Sequence, residues 1–192
     1  DIPNEYFDRG QSVLLLTSHY GNWEYGMLAT DMAIKHQAVA LYLPLTNKYS
    51  ESYGIKRRGR FGMKMVAVQQ TKTVFADPDQ KPVGVIMAAD QSPSNLKSAF
   101  WLDFLNHDTA CIHGPEAYAK KMNLPALYMR ISKPKRGHYT LPFEKLIDNH
   151  QQYEPGEITR IYFKHLEDDI NACPEYWLWS HRRWKHKREN YD

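Results

Sequence analysis

The sequence predicts an α/β domain built on a mostly parallel sheet, and three observations carry that prediction. Short apolar runs alternate with longer mixed segments, giving strand and helix patterns in series. The run 83–89 is nearly all apolar and ends in Asp90-Gln91, as a strand buried on both faces does. The chain has 192 residues, enough for one domain with a sizeable core and no staples.

The elements follow in order. Residues 13–17, Val-Leu-Leu-Leu-Thr, form a compact strand. Asn22 offers an N-cap, and 23–36 read as a helix. A second strand covers 38–43 and stops at Pro44. Residues 48–60 read as a helix weakened by Gly54. Residues 63–68 form a third strand, and 71–77 a short helix closed by Pro78. After the central strand, 91–113 read as a long loop rich in Ser, Asn and aromatics. A helix over 115–122 begins with Pro115 in its first turn. Strands at 124–132 and 138–143 are joined by a turn at 133–137. Residues 157–172 form the last helix.

Charge and cysteine usage narrow the function classes. Of 25 Lys/Arg and 22 Asp/Glu, residues 177–192 hold five and two, so the rest of the chain balances at 20 of each. The excess of +3 therefore sits in the tail. That disfavours a nucleic-acid binder, whose basic residues spread over a face. Cys111 and Cys173 form no metal-type pair and read as thiols of a reducing compartment. The nine histidines are scattered without a zinc-type motif, which argues against a metal-dependent hydrolase. No run of 18 apolar residues and no signal peptide is present. The chain starts at Asp1, which suggests a fragment whose upstream part, a membrane anchor included, lies elsewhere.

The sharpest motif is Ser18-His19-Tyr20-Gly21-Asn22-Trp23-Glu24. A strand ends, His19 sits at its carboxyl end, Gly21 turns the chain, and Glu24 falls in the first turn of a helix. Ligands of open α/β sheets bind at the carboxyl ends of strands. His is the usual general base near neutral pH. A carboxylate across the turn, Glu24, is expected to accept the other ring N–H and orient the imidazole. Ser18 is a poor nucleophile beside it, and no Gly-x-Ser-x-Gly elbow exists. Several weaker candidates surround this motif. Arg58 suits a phosphate, with Arg60 as the alternative in the same basic run. Asp90 and Gln91 either hold an acceptor, organise the site, or make a turn after the strand. Gly114 opens a helix whose N-terminus either meets an anion or is merely capped. The apolar run 99–105 lines a groove, dips into a membrane, or packs in the core. The Trp-studded basic tail 177–188 meets a membrane surface, meets an acidic partner, or packs.

Taken together, these motifs resemble the lipid A biosynthesis (lauroyl/myristoyl-type) acyltransferase family. In the His-x4-Glu of His19 and Glu24 the four intervening residues are Tyr20-Gly21-Asn22-Trp23, similar to that family's His-x-Gly-Asn-Trp-Glu/Asp. Tyr42-Leu43-Pro44, Arg58-Gly59-Arg60-Phe61-Gly62, the strand ending in Asp90-Gln91, the segment 104–114 and the run 176–185 resemble further family segments in the same order. The likeness covers Val13 to Arg188.

The resemblance implies a glycerolphosphate-acyltransferase-like fold, α/β/α layers around a mostly parallel sheet, as one catalytic domain over 1–192. It implies transfer of a fatty acyl chain from an acyl carrier protein or coenzyme A thioester to a hydroxyl of a lipid A precursor or related membrane glycolipid. His19 would be the base and Glu24 its partner, with no covalent intermediate, cofactor or metal. Arg58, Arg60, Asp90, Gln91, Asn22 and Gly114 are the substrate-binding candidates. It further implies work at a membrane surface on the cytoplasmic face of a bacterial inner membrane. Two departures stand out: the family's N-terminal hydrophobic segment is not in this chain, and the strand end reads Asp90-Gln91-Ser92-Pro93-Ser94. The alternative is a non-catalytic lipid- or carrier-binding module of the same fold.

Overall fold

The computed structural model describes residues 1–77 and 79–188, so the expected helix stop at Pro78 and the tail acids Glu189 and Asp192 lie outside the described residues. Six strands form the main sheet, in the order β10-β7-β1-β4-β2-β3. They are β1 (Val13–Thr17), β2 (Gln37–Tyr42), β3 (Lys64–Ala67), β4 (Val83–Ala88), β7 (Ala126–Met129) and β10 (Phe143–Ile147). All neighbours run parallel except β10, which pairs antiparallel with β7. The apolar runs at 13–17 and 83–88 thus become the two middle strands, and every residue of β1 is buried.

Alternation along β1 builds the layers, because successive side chains point to opposite faces. Leu14 and Leu16 face a cluster with Tyr162, Phe163, Leu166 and Ile170 of α5 (Glu157–Ala172) and Ala119 of α4 (Gly114–Met122). Val13 and Leu15 face Tyr6 of α1 (Ile2–Asp8) and Met27 of α2 (Trp23–Ala33). The result is the expected α/β/α arrangement. A buried carboxylate ties the two helices of the first face together. Glu116 of α4 accepts hydrogen bonds from the Gly156 and Thr159 main-chain N–H groups and the Thr159 hydroxyl, so it caps the start of α5.

Several expectations are corrected. The stretch 91–113 is not all loop: it contains a hairpin of β5 (Phe100–Phe104) and β6 (His107–Cys111). Its two-residue turn, Leu105-Asn106, has positive φ at both positions, the geometry that matches strand twist, but it lacks the usual Asn-Gly or Asp-Gly. The run 99–105 belongs to this hairpin, and Phe104 packs in the core against Phe163 and Trp177. The 133–137 turn is a second hairpin, β8 (Ser132–Lys135) with β9 (His138–Thr140), outside the main sheet. The expected helix at 71–77 is a kinked 3-10 segment, Val68–Phe75. Helix α3 (Lys48–Arg58) has no buried residue and gives way to a 3-10 turn, Gly59–Phe61.

Among the described residues no helix is long and apolar enough to cross a membrane. Cys111 and Cys173 are both free thiols.

One buried group sets a pH dependence. His36 is fully buried; its Nε2 meets the Gln11 carbonyl at 2.9 Å, while Nδ1 has no partner. Burial lowers its proton affinity below the ordinary imidazole value. The unfolded chain therefore binds this proton more readily than the fold does. The linked stability is complete above the ordinary value of about 6.5 and is lost as pH falls below it. Thermal melts at pH 7.5 and 5.5 are expected to show a drop in Tm that is smaller in His36→Gln.

Candidate active site

The strand register assembles the site. β1 and β4 pair with a constant offset, from Val13 opposite Gly84 to Thr17 opposite Ala88. Carried two residues beyond both strand ends, that offset sets His19 opposite Asp90. The Ala89 N–H still bonds to the Thr17 carbonyl at 3.0 Å, so the pairing persists to the edge of the site. His19 Nδ1 lies 2.8 Å from Asp90 Oδ1, and the His19 main-chain N–H donates to Asp90 Oδ2 at 3.1 Å.

Asp90 is 3% exposed. Burial alone raises its proton affinity, but the hydrogen bonds from the His19 ring, the His19 main chain and the Trp177 indole outweigh it. The carboxyl is held below its usual range and stays ionised at neutral pH. An ionised acceptor at Nδ1 requires a proton there, which puts the lone pair of neutral imidazole on Nε2.

Asp90, rather than the expected Glu24, stands at His19 Nδ1. Glu24 faces Arg58 instead: Arg58 Nε donates to Oε2 at 3.1 Å and Nη2 donates to Oε1. The guanidinium fork matches a carboxylate edge in two places, which a single imidazole N–H cannot do. Arg58 beside it lowers the Glu24 pKa, against the opposing effect of burial.

The loop between strand and helix is set by two residues. Gly21 has φ +59°, and a Cβ there would sit 3.2 Å from the Ile131 carbonyl oxygen. Asn22 caps α2 by accepting from the Tyr25 N–H at 3.2 Å, which gives its side chain a structural partner.

A crevice of about 660 Å³ opens at the carboxyl ends of β1, β2 and β4. His19, Trp23, Arg58, Gln91 and Gly114 are on its wall, and the rest of the lining is largely apolar, with Met27, Leu41, Met65, Ile86 and Met87. Asp90 lies behind His19 and is not on the wall. Arg60 is not on it either; it is exposed, with its guanidinium 4.8 Å from the Phe61 ring centroid. A smaller cleft of about 310 Å³ lies against Asn22, Trp23 and Glu24, with Lys133, Tyr139 and Tyr176 opposite.

Sequence reasoning missed the part played by the tail. The segment after α5 pairs with the loop between β1 and α2. Tyr20 and Trp177 form an antiparallel bridge, the Gly21 N–H donates to the Tyr176 carbonyl at 2.8 Å, and the Leu178 N–H donates to the His19 carbonyl at 3.1 Å. Trp177 is 5% exposed, and its indole N–H donates to Asp90 Oδ2 at 3.1 Å. His181 Nε2 accepts from the Ser92 N–H, and buried Arg183 donates to the Ala110 carbonyl. The tail is therefore a packed segment through Trp184, whose indole donates to Thr109 Oγ1. The available signal was the density of Trp, His and Arg beside a site already in need of partners.

Among the described residues, no three His, Cys, Asp or Glu side chains come together as a metal site. A Gly21→Ala variant must hold a left-handed conformation beside the Ile131 carbonyl. It is expected to lose at least about 1–2 kcal/mol of stability, read by urea unfolding.

Comparison with curated proteins gives no match. A family model described as bacterial lipid A biosynthesis acyltransferase matches residues 4–186, nearly the whole chain and every part of the site. A strand-end histidine on an apolar crevice thus lies within a chain that belongs to the bacterial lipid A biosynthesis acyltransferase family.

Proposed function

We propose that residues 1–192 form one catalytic unit that moves a fatty acyl chain from an acyl carrier protein or coenzyme A thioester to a hydroxyl of a lipid A precursor or related glycolipid, with His19 as general base. The observation that carries this reading is the His19–Asp90 pair on the wall of a mostly apolar crevice. Asp90 holds the proton on Nδ1, so Nε2 accepts the proton of the acceptor hydroxyl. The oxygen attacks the thioester carbonyl, and the C–S bond breaks as the tetrahedral adduct collapses. The imidazolium returns its proton to the departing thiolate, giving ester and thiol.

The lining supports a division of labour. The large crevice suits the acyl chain, since its volume is typical of small-molecule sites and its wall is apolar. The smaller cleft suits the acceptor head, because Lys133 offers a cation and Trp23 lies on the wall of both cavities, with Glu24 on the smaller one. Arg58 uses Nε and Nη2 on Glu24, which leaves Nη1 for a phosphate of donor or acceptor. Glu24 then acts by holding Arg58. Gln91 and Gly114 are wall positions for substrate contact, Asn22 is a cap beside the smaller cleft, and Arg60 is remote from both.

Membrane association on the cytoplasmic face of a bacterial inner membrane is part of the same reading. It is supported by α3 and its flanks rather than by the tail. Leu43 on the crevice wall and Leu45, Tyr49, Tyr53 and Phe61 along the same segment are all exposed, interleaved with exposed Lys48, Lys56, Arg57 and Arg60. Apolar and aromatic side chains beside cations suit an anionic lipid surface.

Acyl transfer from lauroyl-acyl carrier protein or lauroyl-coenzyme A to purified lipid A precursor, read by mass spectrometry, tests the reading. His19→Ala is expected to abolish transfer in a folded protein; full activity in that variant would overturn the assignment. Asp90→Asn is expected to lower kcat by on the order of a thousandfold or more, through loss of the correct tautomer. Glu24→Gln is expected to raise KM more than it lowers kcat, because it releases Arg58. In sedimentation with anionic vesicles, a Tyr49→Ser/Tyr53→Ser double variant is expected to bind more weakly than the parent chain.

A further inference from the structure

We propose that Trp177 is a positioning residue of the acyl-transfer site, and that the segment from Tyr176 to Arg183 is a strap holding His19 and Asp90 in reactive register. The proposal rests on the reading of His19 as base.

A carboxylate held by a single donor can rotate until the imidazole loses its acceptor. Asp90 is held from three directions. Oδ1 faces His19 Nδ1, while Oδ2 accepts both the His19 main-chain N–H and the Trp177 indole N–H, each at 3.1 Å. The indole is a donor only, and among the described residues its one partner is Asp90. Packing alone does not call for it. The Trp177 ring meets Phe104, Trp179 and Trp184 edge-on, contacts that a phenyl ring also makes.

The same segment grips the main chain on both sides of the pair. It accepts from Gly21 and donates to the His19 carbonyl, so the catalytic loop is bound before and after Tyr20. It reaches past Asp90 through His181, which accepts from the Ser92 N–H at 3.0 Å. Arg183 then anchors the strap: Nη1 donates to the Ala110 carbonyl at 2.7 Å, and the guanidinium carbon lies 5.3 Å from the Phe163 ring centroid. Loop, carboxylate and strap form one network that a single indole N–H joins at its centre.

The indole also draws charge from Asp90. Without it, Asp90 is held only by His19, and the proton on His19 Nδ1 loses a fixed acceptor. The other titratable groups near the pair are Glu24 from α2 with its partner Arg58 from α3, Tyr162 from α5, and His181 and Arg183 from the strap. A Trp177→Phe change leaves all of them in place.

The test uses the whole chain with Trp177→Phe, Asp90→Asn and His19→Gln, each checked for folding by thermal melt. With lauroyl-acyl carrier protein or lauroyl-coenzyme A and lipid A precursor, Trp177→Phe is expected to lower kcat on the order of tenfold with KM for the thioester unchanged. Independently of turnover, the fraction of neutral His19 carrying its proton on Nδ1, followed by nitrogen NMR, is expected to fall in Trp177→Phe and to fall further in Asp90→Asn. If Trp177→Phe does not fold, the indole proton of Trp177 is compared between the parent chain and Asp90→Asn, where it is expected to move upfield. An unchanged His19 tautomer in folded Trp177→Phe, or an indole proton indifferent to Asp90→Asn, overturns the proposal. Acyl transfer that persists in His19→Gln overturns the base assignment instead, and leaves the hydrogen-bond readings to judge the strap separately.

Discussion

The site depends on one ionised carboxylate kept in a nearly dry place. Asp90 is buried to the point where an unpaired charge would be untenable, and it remains charged because three N–H groups converge on its two oxygens. Everything else at the carboxyl end of the sheet serves that condition. Parallel pairing of β1 with β4 sets the spacing of loop and carboxylate, the left-handed Gly21 turns the chain out of the way, and the segment after α5 supplies the last donor. A shift of one residue in the pairing would turn Asp90 to the other face of the sheet and leave both His19 and the indole without their acceptor.

How much of this could be read from the sequence depended on the range of the interaction. The strands 13–17 and 83–88 were legible because burial on both faces writes an uninterrupted apolar run. Helix α5 was legible because its apolar period is local, although its start is capped from Glu116 of α4. The β5–β6 hairpin was not, since Leu105-Asn106 lacks the Asn-Gly or Asp-Gly pair and puts a leucine at the first positive-φ position. In the site, His19 stood out by its place after a strand, whereas its partner did not. Glu24 is nearer in the chain, and Asp90 is 71 residues away. The information was nevertheless present: two central parallel strands ending in His19 and Asp90 bring those ends together once they are paired. Pairing order is the one thing a linear pattern does not state.

The charge distribution acquires a different meaning in three dimensions. The tail looked like a basic surface element, yet Arg183 is buried and Arg188 pairs with Asp108. Exposed Lys48, Lys56, Arg57 and Arg60 lie on α3 and its flanks, in the same segment as exposed Tyr49, Tyr53 and Phe61. A helix with no buried residue gains little from the core that other helices share. Its aromatic and aliphatic side chains are the part of this molecule with most to gain from contact with another phase.

The strap also orders events in time. Trp177 follows His19 by 158 positions, after every strand and α-helix of the described residues. A ribosome adds about 5–20 residues each second, so for several seconds the nascent chain holds the histidine without the indole that steadies its partner. The His19–Asp90–Trp177 network therefore closes only after the strands of the sheet have all been made. Until then the chain presents an apolar groove whose strand-end histidine faces a carboxylate held by one donor fewer.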